Sequence, residues 1–212
     1  MIHTARTIRT CTAAGLFLLS TACGSTAEET DAAVEQEFRS ASHVSTALLQ
    51  DASGKSIGWI IFSKSFDGTR VSISANLPSA MGSIHGLHVH ANDNPANGEG
   101  CVADPAQPAS THFVSADGHY NPGSGTHGHH SGDMPALLFT HAGSARMSFV
   151  TDRFTPAELK GKAVILHQGP DNYGNVPVGT APNQYTANSA EATTLTQNTG
   201  NAGARIACAV IQ

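Results

Sequence analysis

The stretch HVSTALLQDASGKSIGWIIFSKSFDGTRVSISANL, residues 43–77, decides the fold. Val44, Thr46 and Leu48 alternate with other residues, as do Ile57, Trp59 and Ile61, and then Val71, Ile73, Ala75 and Leu77. A period of two is the signature of a pleated strand, whose successive side chains point to opposite faces. The pairs Ser53-Gly54 and Asp67-Gly68 fall between the alternating runs and supply the turns. Three strands joined by such short turns describe an antiparallel meander or one part of a sandwich.

Outward from this core the same reading predicts further strands at 85–91, 135–140, 145–151, 162–167 and 205–211. One short helix is expected at Thr155-Pro156-Ala157-Glu158, where Thr155 can cap, Pro156 suits the first helical position and Glu158 completes a capping box. Two stretches, 92–133 and 168–204, lack strand patterning, and unstructured stretches of that length inside a compact domain are usually functional. Residues 43–212 form the domain.

The first residues have the pattern of an export signal. Arg6 and Arg9 give the positive region, Thr12 to Leu19 the apolar run, and Ser20, Thr21 and Ala22 the small residues before Cys23. The run is too short to span a bilayer. Cys23 directly after it suggests lipoprotein processing, with acylation of that cysteine; ordinary cleavage after Ala22 satisfies the same small residues. The chain is then expected in the bacterial cell envelope, anchored to the membrane through Cys23, or free in the periplasm or medium. Residues 23–42 are acidic, rich in Ala, Ser and Thr, and read as a solvated tether.

The whole chain carries a formal charge of −5, and loss of residues 1–22 removes two arginines and no acid, giving −7. That excludes the basic surface a nucleic-acid partner needs. Of the four cysteines, Cys11 lies in the signal and Cys23 at its end. Cys101 and Cys208 remain, and outside the cytoplasm such a pair is expected to form a disulfide. Closing a loop of roughly 100 residues contributes about 4–5 kcal/mol by loop entropy.

The chemistry lies in the histidines, of which there are 12. In His88-Val89-His90 both imidazoles project from the same face of a strand. His119-Tyr120-Asn121-Pro122, His127 and His129-His130-Ser131-Gly132-Asp133 follow, with Gly and Pro between them. Imidazole and carboxylate donors gathered within 15 positions can wrap one cation, and a near-tetrahedral shell of that mixture suits zinc. Ile165-Leu166-His167 places one more imidazole at the end of a buried strand.

Taken together, residues 43–212 resemble the copper–zinc superoxide dismutase family, in its bacterial exported branch. The resemblance rests on His85-Gly86-Leu87-His88-Val89-His90, Gly118-His119-Tyr120-Asn121-Pro122, His130-Ser131-Gly132-Asp133, His167 followed by Asp171, and Gly200-Asn201-Ala202-Gly203-Ala204-Arg205-Ile206-Ala207-Cys208. It implies an all-β, eight-stranded antiparallel Greek-key β-barrel or sandwich with two long functional loops. It implies dismutation of superoxide to O2 and hydrogen peroxide by copper redox cycling, with a histidine bridged to zinc. By the same resemblance His88, His90, His119 and His167 would bind copper, and His119, His127, His130 and Asp133 would bind zinc. Asp171 would tie a copper histidine to a zinc histidine, Arg205 would receive the anion, and Cys101 and Cys208 would pin the first long loop to the last strand. His119 would also act in catalysis as the bridging ring.

The chain departs from the family pattern in three ways. Only Gly128 and His129 separate His127 from His130, which leaves His129 and His130 as rival zinc ligands; His130 keeps the spacing to Asp133. His112 and His141 have no counterpart. Residues 168–204 contain no lysine to line a substrate channel. A metal-buffering surface protein and a structural adhesin are the competing classes, and His167 with Arg205 favours the enzyme, since metal storage needs no anion site.

Overall fold

The computed structural model describes residues 44–98, 100–172 and 190–212. The expected signal segment, Cys23 and the tether therefore lie outside the described residues.

Nine strands and one α-helix are present among the described residues: β1 (Val44–Asp51), β2 (Ser56–Ser65), β3 (Gly68–Asn76), β4 (Ile84–His85), β5 (Leu87–His90), β6 (Leu137–Leu138), β7 (Ser144–Thr151), β8 (Ala163–His167), α1 (Ala190–Thr199) and β9 (Arg205–Val210). Seven strands form one antiparallel sheet in the order β5-β8-β9-β1-β2-β3-β7, and β4 pairs with β6. The neighbours β9–β1 and β3–β7 are far apart in sequence, which is the return connection of a Greek key. The sheet curls. β4 runs into β5, and β6 turns into β7 where the Thr140 amide donates to the Ser144 carbonyl at 2.8 Å. The expected strand 85–91 is interrupted at Gly86, whose amide is drawn off to the Gly169 carbonyl at 2.8 Å. Counting its two halves as one gives the eight strands of the sequence reading.

The core is filled from inside the curl by Leu49, Ile60, Phe62, Val71, Leu87, Val89, Leu137, Phe139 and Leu166, all essentially inaccessible. In β3 the buried apolar residues are Val71, Ile73 and Ala75, in the phase of the sequence pattern. In β1 the phase is the opposite one: Ala47 and Leu49 are buried while Leu48 is 55% exposed. β2 buries Ile57 in the expected phase, then Ile60 and Phe62 in the other, and exposes Trp59, which pairs with Leu48. A register shift between Leu49 and Gln50 accompanies this change.

Thr155 and Glu158 form their reciprocal bonds: the Thr155 amide donates to the Glu158 carboxylate at 2.6 Å and the Glu158 amide to the Thr155 hydroxyl at 3.4 Å. The segment is nonetheless a turn and not a helix. Leu159 is buried and Gly161 takes φ +84°, so the chain leaves after a single turn to start β8. The second long loop, conversely, contains helix α1. No helix among the described residues is long and apolar enough to cross a membrane.

Cys101 and Cys208 are joined, across 107 positions of sequence, with their Cα atoms 5.5 Å apart. Cys208 lies in β9, packed with Phe113, Ala163 and Ile165. The first long loop is thereby fixed to the middle of the sheet.

Candidate metal centre

β5 is buried along its whole length because both of its edges are covered. On one side it pairs with β8, His88 opposite Ile165 and His90 opposite Ala163. On the other side the loops of the first long stretch dock by backbone hydrogen bonds. The Val89 amide donates to the Gly132 carbonyl and the Tyr120 amide to the Val89 carbonyl, both at 2.8 Å. Isolated bridges set His88 against Asp133 and His90 against His119. Alternation along β5 and these two bridges bring His88, His90, His119 and Asp133 to one place. His167 joins them from the end of β8, where a register shift after Leu166 pairs it with Arg205 and re-aims its ring.

Each of the four histidines has one nitrogen fixed from outside. His88 Nε2 donates to Asp171 Oδ2 at 2.7 Å, His90 Nδ1 to the Asp117 carbonyl at 2.8 Å, and His167 Nδ1 to the Gly203 carbonyl at 3.1 Å. His119 Nδ1 lies 2.9 Å from Asp133 Oδ1. The remaining nitrogens, His88 Nδ1 and the Nε2 atoms of His90, His119 and His167, are buried with no hydrogen-bond partner among the described residues. One donor from each of these four residues lies within 4.8 Å of the others. Buried polar atoms are rarely left unpaired, and four converging imidazole lone pairs fit a copper ion.

Protonation agrees with that fit. Burial, more than any neighbour, holds His90 well below the usual histidine range, His119 at about 4 and His167 at about 3. These rings are neutral at neutral pH and present lone pairs.

A second group of donors, His88, His119, His127 and Asp133, also lies within 4.8 Å. Asp133 Oδ1 is 2.9 Å from His119 Nδ1 and 3.3 Å from the Nδ1 atoms of both His127 and His130, while the Nδ1 atoms of His119 and His130 are 3.1 Å apart. A tetrahedron of donors about 2.0–2.1 Å from a zinc ion has edges of about 3.3 Å. The donor set and its spacing therefore fit zinc. His130 is buried and turned inward, whereas His129 is exposed. Asp133 is held well below the ordinary carboxylate range: burial opposes this, and bonds and charge from His119 and His127 outweigh it.

Asp171 lies between the two groups. Its Oδ2 takes the His88 N–H and its Oδ1 sits 2.7 Å from His127 Nε2, with all three side chains inaccessible. Burial alone would lower His127, but the two carboxylates Asp133 and Asp171 raise it to about 9. Gly200 beside this bridge has φ +62°, and a Cβ there would overlap the Asp171 carboxylate and the His127 ring. Helix α1 ends at this point, with the His127 amide donating to the Gln197 carbonyl at 2.7 Å.

Arg205, at the start of β9, is aimed by two carbonyls. Nη1 donates to Phe113 and Nη2 to Asp117. Phe113 and Asp117 have φ of 56° and 64° and flank one short 3-10 turn, Val114–Ala116. The Asp117 carbonyl thus serves both Arg205 and His90.

Two residues important to the site were given no role by the sequence, although His85 stands in the motif that ends in His88-Val89-His90. Buried His85 donates from Nδ1 to the His167 carbonyl at 2.7 Å and steadies that backbone. Arg153 donates to the carbonyls of Gly128 and His130. His112 is occupied with the Asp104 and Gln107 carbonyls, and neither it nor His141 belongs to either donor group.

Comparison with known proteins agrees with this geometry. The family model described as copper/zinc superoxide dismutase matches residues 56–211. The chain is 34% identical over 147 residues to the copper–zinc superoxide dismutase of Deinococcus radiodurans, covering 63% of this chain and 76% of that protein. It is 30% identical to that of Photobacterium leiognathi, covering 75% of this chain and 80% of that one. The solved structure of the Cu/Zn superoxide dismutase from Brucella abortus shares the fold, with a TM-score of 0.56 at 24% identity, over 80% of this chain and 99% of that one.

Proposed function

This chain belongs to the copper/zinc superoxide dismutase family, and from that premise we propose that its histidine centre converts two superoxide anions and two protons into O2 and hydrogen peroxide. The observation that carries the reading is the convergence of four buried, unpartnered imidazole nitrogens beside a second donor group that shares His119. In this reading His88, His90, His119 and His167 hold copper, and His119, His127, His130 and Asp133 hold zinc. Bound copper supplies one-electron exchange with superoxide, and zinc supplies a fixed positive charge beside the shared ring.

The chain's own residues do the rest. Arg205 gives two of its five N–H donors to the Phe113 and Asp117 carbonyls and keeps the others for an anion. One superoxide docked there gives up its electron and leaves as O2. A second takes up an electron and two protons and leaves as hydrogen peroxide. His119 Nε2 holds one of those protons between the half-reactions, while its Nδ1 stays turned to Asp133 and His130. Solvent supplies the other proton. Asp171 fixes which nitrogen of His88 and of His127 carries hydrogen, and so which is free to ligate.

Export to the cell envelope belongs to the same proposal, with 1–22 as leader, 23–42 as tether and 43–212 as the enzymatic domain. The Cys101–Cys208 disulfide supports it, because such bonds persist outside the cytoplasm. Acylation of Cys23 predicts a diacylglycerol increment in the intact mass; a bare cysteine there would leave ordinary cleavage.

The deciding measurement is superoxide dismutation by the purified, metal-loaded protein, with metal content determined on the same sample. Turnover that scales with copper occupancy is expected. Full copper occupancy without turnover would overturn the enzyme in favour of a metal buffer.

A further inference from the structure

The loop bearing His127 and His130 is too short to hold its own shape, and the chain clamps it from both sides. On the inner side Asp133 Oδ2 accepts the amides of Gly128 at 2.7 Å and His130 at 3.1 Å. On the outer side the Arg153 guanidinium donates from Nη2 to the Gly128 carbonyl at 3.0 Å and from Nη1 to the His130 carbonyl at 3.1 Å. The same two residues are therefore held by their amides and by their carbonyls. His129, between them, has its amide turned back to the Thr126 carbonyl and its side chain exposed.

Arg153 is well placed for this because its own backbone is fixed. It lies two residues past the end of β7, its amide donates to Thr151 Oγ1 at 3.3 Å, and the next residue, Phe154, is buried against Phe62. The Phe154 carbonyl accepts from Thr69 Oγ1 at 2.6 Å. The side chain lines an open groove together with Gly128, Asp133, Met134, Phe149 and Thr151. A planar guanidinium can span two carbonyls two residues apart, which a lysine ammonium cannot do with the same geometry.

We propose that Arg153 is a positioning residue for the zinc donors: by fixing the Gly128 and His130 carbonyls it sets the directions of the His127 and His130 rings. The proposal rests on the reading of His119, His127, His130 and Asp133 as the zinc set. Arg153 touches no metal and lies outside the copper set, so its effect falls on one metal. The effect expected is at the lower end of that seen when a group holding a metal ligand is lost, about tenfold in affinity.

The test is chelator competition for zinc and, separately, for copper on the purified full-length protein and its Arg153→Ala and Arg153→Lys variants. Cobalt(II) absorption reports independently on the geometry of the same site. Arg153→Ala should weaken zinc about tenfold and alter the cobalt bands, with copper affinity held within twofold, and Arg153→Lys should fall between Ala and wild type. Unchanged zinc affinity in Arg153→Ala, or an equal loss at both metals, would overturn the clamp. A wild-type protein that binds no zinc would overturn the zinc reading and the clamp with it, whereas zinc binding insensitive to Arg153 would overturn the clamp alone.

Discussion

Replacing Asp171 by Asn tests the connection between the two metal sites with almost no change of volume. The native carboxylate receives two ring N–H groups, from His88 Nε2 and His127 Nε2, each at 2.7 Å, and none of the three side chains meets solvent. An amide has one oxygen to offer, and its NH2 group faces whichever ring is left over. That ring has two options. It can keep a buried donor unpaired, which costs about 1–3 kcal/mol. Alternatively it can move its proton to Nδ1, the nitrogen that points into the metal donors, and cease to be a ligand. The empirical loss when such a partner is removed, 10–100-fold in metal affinity, corresponds to about 1.4–2.7 kcal/mol at 1.36 kcal/mol per decade, so the two estimates agree. The larger share should fall on zinc. His90 and His167 stay fixed by backbone carbonyls whatever happens at Asp171, whereas His127 owes its raised affinity for a proton to Asp133 and Asp171 together.

The assay is chelator competition for each metal on Asp171→Asn and Asp171→Ala, with the unfolding midpoint of the metal-free proteins as control. Both variants should lose zinc affinity by at least tenfold. If Asn binds zinc like wild type and only Ala loses it, the residue acts by filling space, and the argument from N–H donors is refuted.

Four further outcomes are expected. Arg205→Ala should keep copper bound and slow dismutation by about 10–100-fold, the worth of about 1.5–3 kcal/mol for a hydrogen bond to a charged group; undiminished activity at equal copper content would reject the anion role. Zinc uptake should release a proton from His127, because in the metal-free protein that ring stays protonated up to about pH 9. Zinc affinity should therefore climb between pH 7 and 9, while copper affinity, which relies on His119 at about 4 and His167 at about 3, should be flat there; a flat zinc profile by chelator competition would contradict this. The same depressed rings bind protons less readily folded than unfolded, so metal-free protein should lose stability as pH falls from about 6.5 towards 3, read by denaturant midpoint. Dismutation should depend only weakly on ionic strength, since 168–204 has no lysine; a steep fall in rate between low and physiological salt would show a steering field elsewhere on the surface.

What could be read from the sequence was what depends on neighbours along the chain. His88 and His90 two apart on a strand, the Gly turns, and the strands at 145–151 and 162–167 are of this kind. The buried face of β1 and β2 was not legible, because Leu48-Leu49 and Trp59-Ile60-Ile61-Phe62 are apolar in both phases, and the register shift after Leu49 leaves no trace in the pattern. Helix α1 was missed because Ala-Glu-Ala-Thr-Thr-Leu-Thr-Gln-Asn-Thr has no apolar stripe and carries four threonines, which are poor helix formers. The meeting of Asp171 with His88 and His127 spans 83 and 44 positions, and only resemblance to a family could suggest it. Arg153 had no motif at all, since its partners are main-chain carbonyls that any sequence provides.

That last point bears on how the centre is held. Two rings of the four-histidine set, His90 and His167, are anchored to the backbone carbonyls of Asp117 and Gly203, whereas His88 and His119 lean on the carboxylates of Asp171 and Asp133. Rings in the second set are anchored to carboxylates and to a loop that is clamped by Asp133 and Arg153. Carboxylates attract protons as well as cations, so at His127, which lies between Asp133 and Asp171, the metal competes with hydrogen ion, and the ring stays charged until the metal arrives. The two sites are thus expected to differ in how they fill: His90, His119 and His167 are neutral before an ion arrives, whereas His127 exchanges a proton for it. Asp171 touches His88 and His127 at once, so the loss of a proton from His127 on metal binding changes the charge facing the carboxylate that orients His88.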